Sequence, residues 1–341
     1  MTQEKIALIL GATGGVGGEV GRALLARGWR IRALHRKGGP ADSGRDGFEW
    51  VQGDAMNKED VIEAAKGASV IVHAVNPPGY RNWGKLVLPM IDASIAAAKA
   101  SGARIVLPGT VYNFGPDASP HLREDSPQHP TTRKGAIRVE MERRLHAASA
   151  EGVRSLIVRA GDFFGARVTG NSWFSAGLVK PGKPVTSVLY PGDKAVGHQW
   201  AYLPDVAETM ARLLEAEDRL AAFEMFHMNG HWDGDGTSFV KAIGRVVGGA
   251  GLKTRAFPWW ALTLASPFVT LFREMREMRY LWREPLRMDN SRLVAFLGEE
   301  PHTPLDEAIR TTLMGLGCLP ATPHVAAPSG LARSRDQQLA L

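Results

Sequence analysis

Short apolar runs alternate with segments of helical periodicity along the first half of the chain. The run Ile6–Leu10 is apolar throughout, which is typical of a strand buried on both faces of a sheet. In the next segment Val16, Val20 and Leu24 recur at helical spacing, and Gly28 predicts where that helix ends. The same alternation predicts strands over 6–10, 29–34, 48–51, 69–74, 104–107 and 154–158, with helices over 58–66, 85–101 and 137–150.

The pattern changes after about residue 165, where prolines and glycines become frequent and the elements become shorter. Here the sequence predicts a helix after Pro204, a strand over 223–228, and helices near 238–247 and 304–313. After Leu319 no periodic apolar pattern remains. We therefore expect a first domain over 1–165 with return segments near 185–228, a smaller interleaved lobe over 166–319, and a mobile tail over 320–341.

A glycine-rich turn, Gly11-Ala12-Thr13-Gly14-Gly15-Val16-Gly17, lies between the first strand and the first helix. Glycines at this spacing allow a tight turn, let the backbone approach a pyrophosphate, and let the helix pack closely against the strand. The helix start then offers N–H donors and the positive end of its dipole to phosphates. The turn predicts a dinucleotide site formed by Gly11, Thr13, Gly14, Gly15, Val16 and Gly17.

Strands that alternate with helices predict right-handed crossovers and a parallel sheet. Together with the glycine turn, this pattern predicts an α/β fold of Rossmann type. The fold would be a doubly wound parallel sheet that binds the dinucleotide across the carboxyl ends of its strands, with a smaller C-terminal substrate lobe.

The end of the second strand indicates which dinucleotide is favoured. An acidic residue there would bind the ribose 2′-hydroxyl of NAD, whereas this chain has His35-Arg36-Lys37. Cationic side chains suit a 2′-phosphate, so we expect NADP(H) to be preferred over NAD(H). The alternative is that Arg36 and Lys37 are solvated loop charges. Asp54 is a candidate acceptor for the adenine, or else a turn or capping residue.

Composition and charge narrow the class of partner. The chain of 341 residues has a formal net charge of +6, and its lysines and arginines are scattered, so we expect an anionic small ligand and no nucleic acid. The one cysteine, Cys318, excludes an intrachain disulfide and a cysteine-built metal site, and we expect no metal.

The sequence also bears on location. No cationic region precedes an apolar leader, and the apolar stretch Phe257–Phe272 is shorter than the roughly 20 residues that span a bilayer. We expect a cytoplasmic protein without a transmembrane segment, in which this stretch forms a buried or interfacial helix. A homodimer is one option for its oligomeric state.

Four further segments after the glycine turn belong to one pattern, which covers roughly residues 5 to 315. They are His73-Ala74-Val75-Asn76, Val111-Tyr112-Asn113-Phe114-Gly115, the segment 158–165 (VRAGDFFG) and the segment 200–207 (WAYLPDVA). Together they resemble the extended or atypical short-chain dehydrogenase/reductase superfamily, of the NAD(P)-dependent epimerase/dehydratase type. The resemblance implies that Ala74, Val75 and Asn76 pass beneath the cofactor.

The catalytic motif departs from that resemblance. The superfamily pattern is Tyr-x-x-x-Lys with an upstream Ser or Thr, and here Lys134 stands at the tyrosine position and Arg138 at the lysine position. Pro108 takes the usual serine position, and Thr110 follows two residues later. Four-residue spacing puts Lys134 and Arg138 on one helical face.

Three interpretations of this pair remain open. In the first, Lys134 is the general acid or base and Arg138 holds the ribose or the phosphates. In the second, both residues anchor a dinucleotide in a protein without redox chemistry. In the third, both are solvated helix charges.

Other residues are candidates for the active site because of where they lie in the sequence. Tyr112 is an alternative proton donor, and Thr110 is a candidate for orienting a substrate carbonyl. Tyr80, Asn171 and Trp173 are candidate substrate-binding residues. His73 is expected to be a core histidine. In the second half of the chain, the spacing of His198, His227 and His231 does not resemble that of metal ligands.

The sequence therefore predicts an NADP-dependent oxidoreductase that reduces a carbonyl or an activated alkene of a small organic molecule. One alternative is a sugar-nucleotide epimerase or dehydratase, against which the missing tyrosine argues. Another is a non-catalytic NAD(P)-binding sensor or assembly protein.

Overall fold

The computed structural model describes residues 4–41, 43–44, 46–77, 82–167, 172–193, 195–248 and 252–320. Two of the candidate substrate residues, Tyr80 and Asn171, lie outside the described residues, as does the expected tail from residue 321 onward.

Fourteen strands are found in this part of the chain. They are β1 (Ile6–Leu10), β2 (Arg30–His35), β3 (Glu49–Gln52), β4 (Val70–His73), β5 (Arg104–Gly109), β6 (His121–Leu122), β7 (Ser155–Arg159), β8 (Asp162–Phe164), β9 (Ser187–Tyr190), β10 (His198–Tyr202), β11 (Phe223–His227), β12 (His231–Asp233), β13 (Lys253–Ala256) and β14 (Arg287–Met288). The α-helices of the described residues are α1 (Gly15–Leu25), α2 (Lys58–Ala64), α3 (Trp83–Ser101), α4 (Arg133–Ser149), α5 (Leu203–Glu215), α6 (Ser238–Val246), α7 (Trp259–Ala265), α8 (Thr270–Glu277), α9 (Ser291–Leu297) and α10 (Leu305–Gly315).

Seven of these strands form one parallel sheet in the order β11-β7-β5-β4-β1-β2-β3. The strand order reverses at β1, where Leu10 pairs with Leu34 of β2 on one side and with His73 of β4 on the other. A reversal of this kind leaves a crevice at the carboxyl ends of the strands, which is where open α/β sheets bind ligands. The predicted Rossmann-type fold is confirmed.

The sheet is buried because helices cover both of its faces. β4, β5 and β7 are buried along their whole length. One apolar cluster joins the sheet to α1 and α5, and a second joins the other face to α2, α3 and α4. This arrangement explains why the central strands read as continuous apolar runs rather than as alternating patterns.

Smaller sheets are built from the second half of the chain. β8, β10 and β12 form a three-stranded sheet, β9 pairs with β13, and β6 pairs with β14. An aromatic cluster packs against β8, β9 and β10, with Trp200 stacked on Phe239 at 4.4 Å between ring centroids. Across the described residues, no helix combines the length and the apolar character needed to cross a membrane.

Candidate functional site

Two glycines of the turn, Gly11 and Gly17, lie so close to neighbouring backbone that no side chain fits there. Gly11 has φ of +92°, and a Cβ atom there would lie 2.7 Å from the carbonyl oxygen of Ala74. A Cβ atom on Gly17 would lie 2.4 Å from the carbonyl oxygen of Gly11. The N–H of Gly14 closes the turn by donating to the carbonyl of Gly11 at 2.9 Å. The turn therefore presses the backbone against the end of β4.

The start of α1 fits a phosphate ligand. Its N-cap residue, Gly14, has no side chain to accept from the first N–H groups, and the first turn contains no acidic residue. These N–H groups therefore remain available to an anion outside the helix, and the helix dipole favours negative charge there.

A cavity of about 820 Å³ begins at this turn and runs along the carboxyl ends of the strands. It brings together most of the residues that the sequence assigned to the cofactor: Gly11, Thr13, Gly14, Gly15, Val16, His35, Arg36, Asp54, Ala74, Val75, Asn76 and Arg138. Gly17 and Lys37 are not among its lining residues. Gly17 instead lies close to Ala74 Cβ, so the structure gives it a packing role.

The end of β2 forms one edge of the cavity. His35 Nδ1 accepts hydrogen bonds from the backbone N–H groups of Lys37 (3.3 Å) and Gly39 (3.1 Å), which fixes the imidazole in place. Arg36 is exposed beside it and lines the cavity. Asp54 Oδ1 accepts from the N–H of Met56 at 3.0 Å, so this residue also stabilises a turn.

Lys134 lies elsewhere than the sequence led us to expect. It is buried, with 1% exposure, yet it is not among the residues that line the cavity. Its Nζ lies 2.9 Å from Glu274 Oε2 and 3.3 Å from Glu277 Oε2, and it donates to the carbonyl of Glu274 at 2.7 Å. The amine thus ties α4 to α8, and the burial of Lys134 rules out the interpretation of this residue as a solvated helix charge.

Arg138, one turn further along α4, does line the cavity. Its guanidinium carbon lies 5.1 Å from the centre of the Trp83 ring, which also lines the cavity. Burial, together with the charge of Arg138, lowers the pKa of His73 to about 3. His73 is 2% exposed, and its Nδ1 lies 2.8 Å from Ser94 Oγ, as expected for a core histidine.

Thr110 and Tyr112 follow β5 and line the cavity. Thr110 is held by its surroundings, because its Oγ1 donates to Asn113 Oδ1 at 3.2 Å and its carbonyl accepts from Arg159 Nη1. Arg159 is fully buried and also donates to Glu142 Oε2 at 2.7 Å. A buried polar network therefore positions the backbone and the hydroxyl of Thr110.

The far end of the cavity holds Trp173, as the sequence suggested, and Asp162, which it did not identify as a site residue. Asp162 Oδ2 lies 2.8 Å from His198 Nε2, and His198 Nδ1 lies 3.3 Å from the carbonyl of Leu281. These two contacts hold the His198 imidazole in place beside Asp162.

Asp162 belongs to the segment 158–165 that carried the family resemblance, which was the signal available for it. His198 stacks on Trp282 at 3.7 Å between ring centroids. No sequence pattern links His198 to Asp162, because the contact depends on the pairing of β8 with β10.

One group of potential metal ligands occurs among the described residues. Ligand atoms of Asp205, His231 and His302 lie within 4.8 Å of one another. Both oxygens of Asp205 already accept from Thr303, from its N–H at 2.8 Å and from its Oγ1 at 2.7 Å. We therefore interpret this group as a structural contact between α5 and the segment before α10.

Known proteins resemble this chain in sequence and in fold. The model of the NAD dependent epimerase/dehydratase family matches residues 7–228. The chain is 29% identical over 177 residues to the dTDP-6-deoxy-L-talose 4-dehydrogenase (NAD(P)(+)) of Kitasatospora kifunensis, covering 48% of this chain and 54% of that protein. It is 29% identical over 245 residues to the 3-diazoavenalumate denitrifying reductase of a Streptomyces species, covering 63% of this chain and 77% of that one.

The chain thus spans about half the length of some curated relatives that it matches. Among solved structures it resembles the UDP-glucuronic acid 4-epimerase of Bacillus cereus in complex with UDP-glucuronic acid and NAD. The TM-score is 0.69 at 15% identity, and the match covers 91% of this chain and 98% of that one. At this identity the likeness concerns the fold alone.

Proposed function

We propose, from the premise that this chain belongs to the NAD dependent epimerase/dehydratase family, that it is an NADP-dependent oxidoreductase that reduces a carbonyl or an activated alkene of a small organic molecule. The observation that carries the proposal is the cavity that joins the glycine turn to Thr110, Tyr112 and Trp173. The relative from Streptomyces, which is named as a reductase, supports reduction.

The cofactor would lie along the glycine turn with its pyrophosphate at the start of α1. His35, Arg36 and the nearby Lys37 would hold the 2′-phosphate, and Asp54 would accept from the adenine. Arg138 would hold the ribose or a phosphate, since its guanidinium lies at the cavity wall. When bound, NADPH supplies the hydride.

Tyr112, rather than Lys134, would donate the proton to the substrate. The phenol lines the cavity, whereas the amine of Lys134 is held between the carboxylates of Glu274 and Glu277. Thr110 would orient the reacting carbonyl, because the polar network around Arg159 fixes its position. Lys134 would then serve to hold α8 against α4.

The substrate would lie between Trp173 and Asp162. The aromatic ring offers an apolar contact, and the Asp162 carboxylate, held by His198, offers an acceptor for a hydroxyl or an amine. This favours a compact molecule with an apolar body and one hydrogen-bond donor.

Calorimetric titration of the nucleotide-free chain with NADPH and then NADH tests the proposal. We expect NADPH to bind at least about tenfold more tightly, because charge-assisted hydrogen bonds hold its 2′-phosphate. The variant Arg36→Gln should lose most of this preference, and Lys183→Gln, which changes an exposed lysine that does not line the cavity, is its matched control. A preference for NADH would overturn the cofactor assignment, and no binding of either would overturn the site.

A second candidate function is supported by the relative from Kitasatospora kifunensis, which is named for a dTDP-sugar. This function is the oxidation or epimerisation of a sugar nucleotide. NAD retained through purification, with interconversion of sugar nucleotides, would favour it over carbonyl reduction. Tight cofactor binding without turnover of either substrate class would favour a non-catalytic sensor.

A further inference from the structure

A stripe of apolar side chains is exposed on α7 and the turn that follows it. Trp260, Leu264 and Phe268 are 73%, 70% and 89% exposed. The helical path continues past the end of α7, because the N–H of Val269 donates to the carbonyl of Ala265 at 3.1 Å. Residues four apart share a helical face, so these three side chains form one surface, which we call the α7 stripe.

The opposite face of α7 is already part of the core. Trp259 and Leu262 are buried, and Trp259 Nε1 donates to the carbonyl of Pro191 at 2.8 Å. α7 contains no charged residue. A helix that is apolar on every side is normally buried on every side, so the α7 stripe indicates a surface that something apolar covers.

The surroundings of the stripe are basic. Between residues 253 and 283 the sequence has six lysines and arginines and two glutamates. The two glutamates, Glu274 and Glu277, face inward and bind Lys134. The exposed charges of this segment are therefore cationic, and they are Lys253, Arg255, Arg273, Arg276 and Arg283. Two of them also lie near a carboxylate, since Arg283 is 3.6 Å from Asp193 and Arg273 is 3.7 Å from Glu274, so Lys253, Arg255 and Arg276 carry most of the unbalanced positive charge.

These basic residues lie close to the stripe. β13 carries Lys253 and Arg255 and leads directly into α7. From α8, Arg276 Nη1 donates to Ser266 Oγ at the end of α7, at 3.2 Å. The apolar stripe is thus flanked by cations on both sides along the chain.

We propose that the α7 stripe and its basic surroundings dock this chain on the surface of an anionic lipid bilayer. Trp260, Leu264 and Phe268 would insert at the boundary between headgroups and acyl chains, and the lysines and arginines would contact the anionic headgroups. Apolar insertion combined with basic charge is the usual basis of interfacial binding, and tryptophan favours this boundary.

The charges favour a membrane over a second copy of the chain. A two-fold interface brings the same patch of each copy together, so two cationic surfaces would face each other. A stable dimer also needs on the order of 1,000 Å² of buried surface, more than three side chains supply. An anionic bilayer meets both requirements of the patch.

Sedimentation of the full chain with lipid vesicles tests the proposal. We expect at least about tenfold more binding to phosphatidylcholine vesicles that contain phosphatidylglycerol than to phosphatidylcholine alone, and we expect added salt to weaken it. The triple variant Trp260→Ser, Leu264→Ser, Phe268→Ser should lose binding by more than about tenfold. Replacing Lys253 and Arg255 by glutamine should lower it roughly fivefold per charge.

The matched control is Val294→Ser, which changes an exposed apolar residue of α9 and should bind vesicles like the native chain. Titration with NADPH and thermal unfolding show that each variant is folded. Native chain that stays in the supernatant with the mixed vesicles would overturn the proposal, as would a triple variant that binds normally. A native dimer that the triple variant converts to a monomer, as measured by sedimentation velocity, would instead assign the stripe to an interface between copies.

Discussion

Gly17 shows how a missing side chain shapes the cofactor turn. A methyl group at this position would lie 2.4 Å from the carbonyl oxygen of Gly11, which is backbone and cannot move without opening the turn. We therefore expect Gly17→Ala to destabilise the fold by about 1–3 kcal/mol and to weaken NADPH binding. Thermal unfolding and calorimetry measure the two effects.

The matched control is Gly44→Ala, because a Cβ atom on Gly44 meets nothing within 4 Å. This variant should leave both measurements close to those of the native chain. If Gly17→Ala were equally silent, the close approach of the turn to α1 would not be what requires glycine there.

Substitutions at Tyr112 and at Lys134 should have different effects, which distinguishes the roles of the two residues. Tyr112→Phe removes the proposed proton donor, so we expect turnover to fall by about 10²–10⁴ with little change in stability. Lys134→Met leaves two glutamates without their buried partner, so we expect the unfolding free energy to fall by about 3–5 kcal/mol. Steady-state rates and denaturant unfolding of both variants make the comparison.

Both outcomes can be contradicted. Normal turnover in Tyr112→Phe, with turnover abolished in a folded Lys134→Met, would return the acid–base role to Lys134. Combining Lys134→Met with Glu274→Gln and Glu277→Gln provides the folded control, because it removes the charges that the single variant leaves unpaired.

The sequence could predict the glycine turn because all of its determinants lie within seven adjacent residues. It could not predict the position of Lys134, because the glutamates that bind it lie 140 and more residues away in sequence. Asp162 and His198 were missed for the same reason. The turn depends on local sterics, whereas ion pairs of this kind depend on the tertiary fold.

Among the elements, α4 carries Lys134 and Arg138 and depends on its cap. Thr132 Oγ1 accepts from the N–H of Gly135 at 3.0 Å. We expect Thr132→Ala to lower the unfolding free energy by about 1 kcal/mol, because this N–H then loses its acceptor. Chemical denaturation measures the change, and Thr131→Ala, at the exposed neighbour, should be close to neutral. Equal effects at both positions would argue against the capping role.

The start of α4 also shows where sequence patterns stop being informative. The periodicity predicts a helix from residue 137, whereas the helix begins at Arg133. The first turn contains charged residues and Gly135, so it shows no apolar pattern. Gly135 is needed because a Cβ atom there would lie 2.1 Å from the carbonyl oxygen of Tyr112. Thr132, a residue type common at helix N-caps, marks this start in the sequence.

The elements of the central sheet were predictable for a physical reason. Its strands β1, β4, β5 and β7 are buried on both faces or nearly so, which leaves largely apolar runs in the sequence. The strands of the smaller sheets have two to five residues and pair with distant segments, so their sequences carry little periodicity. Their pairing had to be seen in the structure.

For the whole molecule, buried histidines predict how stability depends on pH. Burial, assisted by Arg138 for His73 and by Arg159 for His227, lowers the pKa of both imidazoles to about 3. Burial, with the charge of His302, lowers the pKa of His231 to about 4. In the unfolded chain each pKa is about 6.5. Between these values the unfolded state binds more protons, so acid favours unfolding.

We therefore expect the unfolding free energy to fall as pH decreases from about 6.5 toward 4. Each histidine contributes at most about 1.4 kcal/mol per pH unit. Thermal unfolding across this pH range measures the slope, and His121→Gln, which changes an exposed histidine, should leave it unchanged. Stability that stayed flat or rose with acid would show that these imidazoles are not held neutral.

β11 completes the central sheet late, after the chain has already built β8, β9, β10 and α5. Its partner is β7, with His227 aligned on Arg159. Two genes that recombined between β8 and β11 would therefore join a foreign edge strand to a resident one. A chimaera cut at this point would complete the central sheet only if the foreign β11 fits the β7 edge that the resident chain supplies.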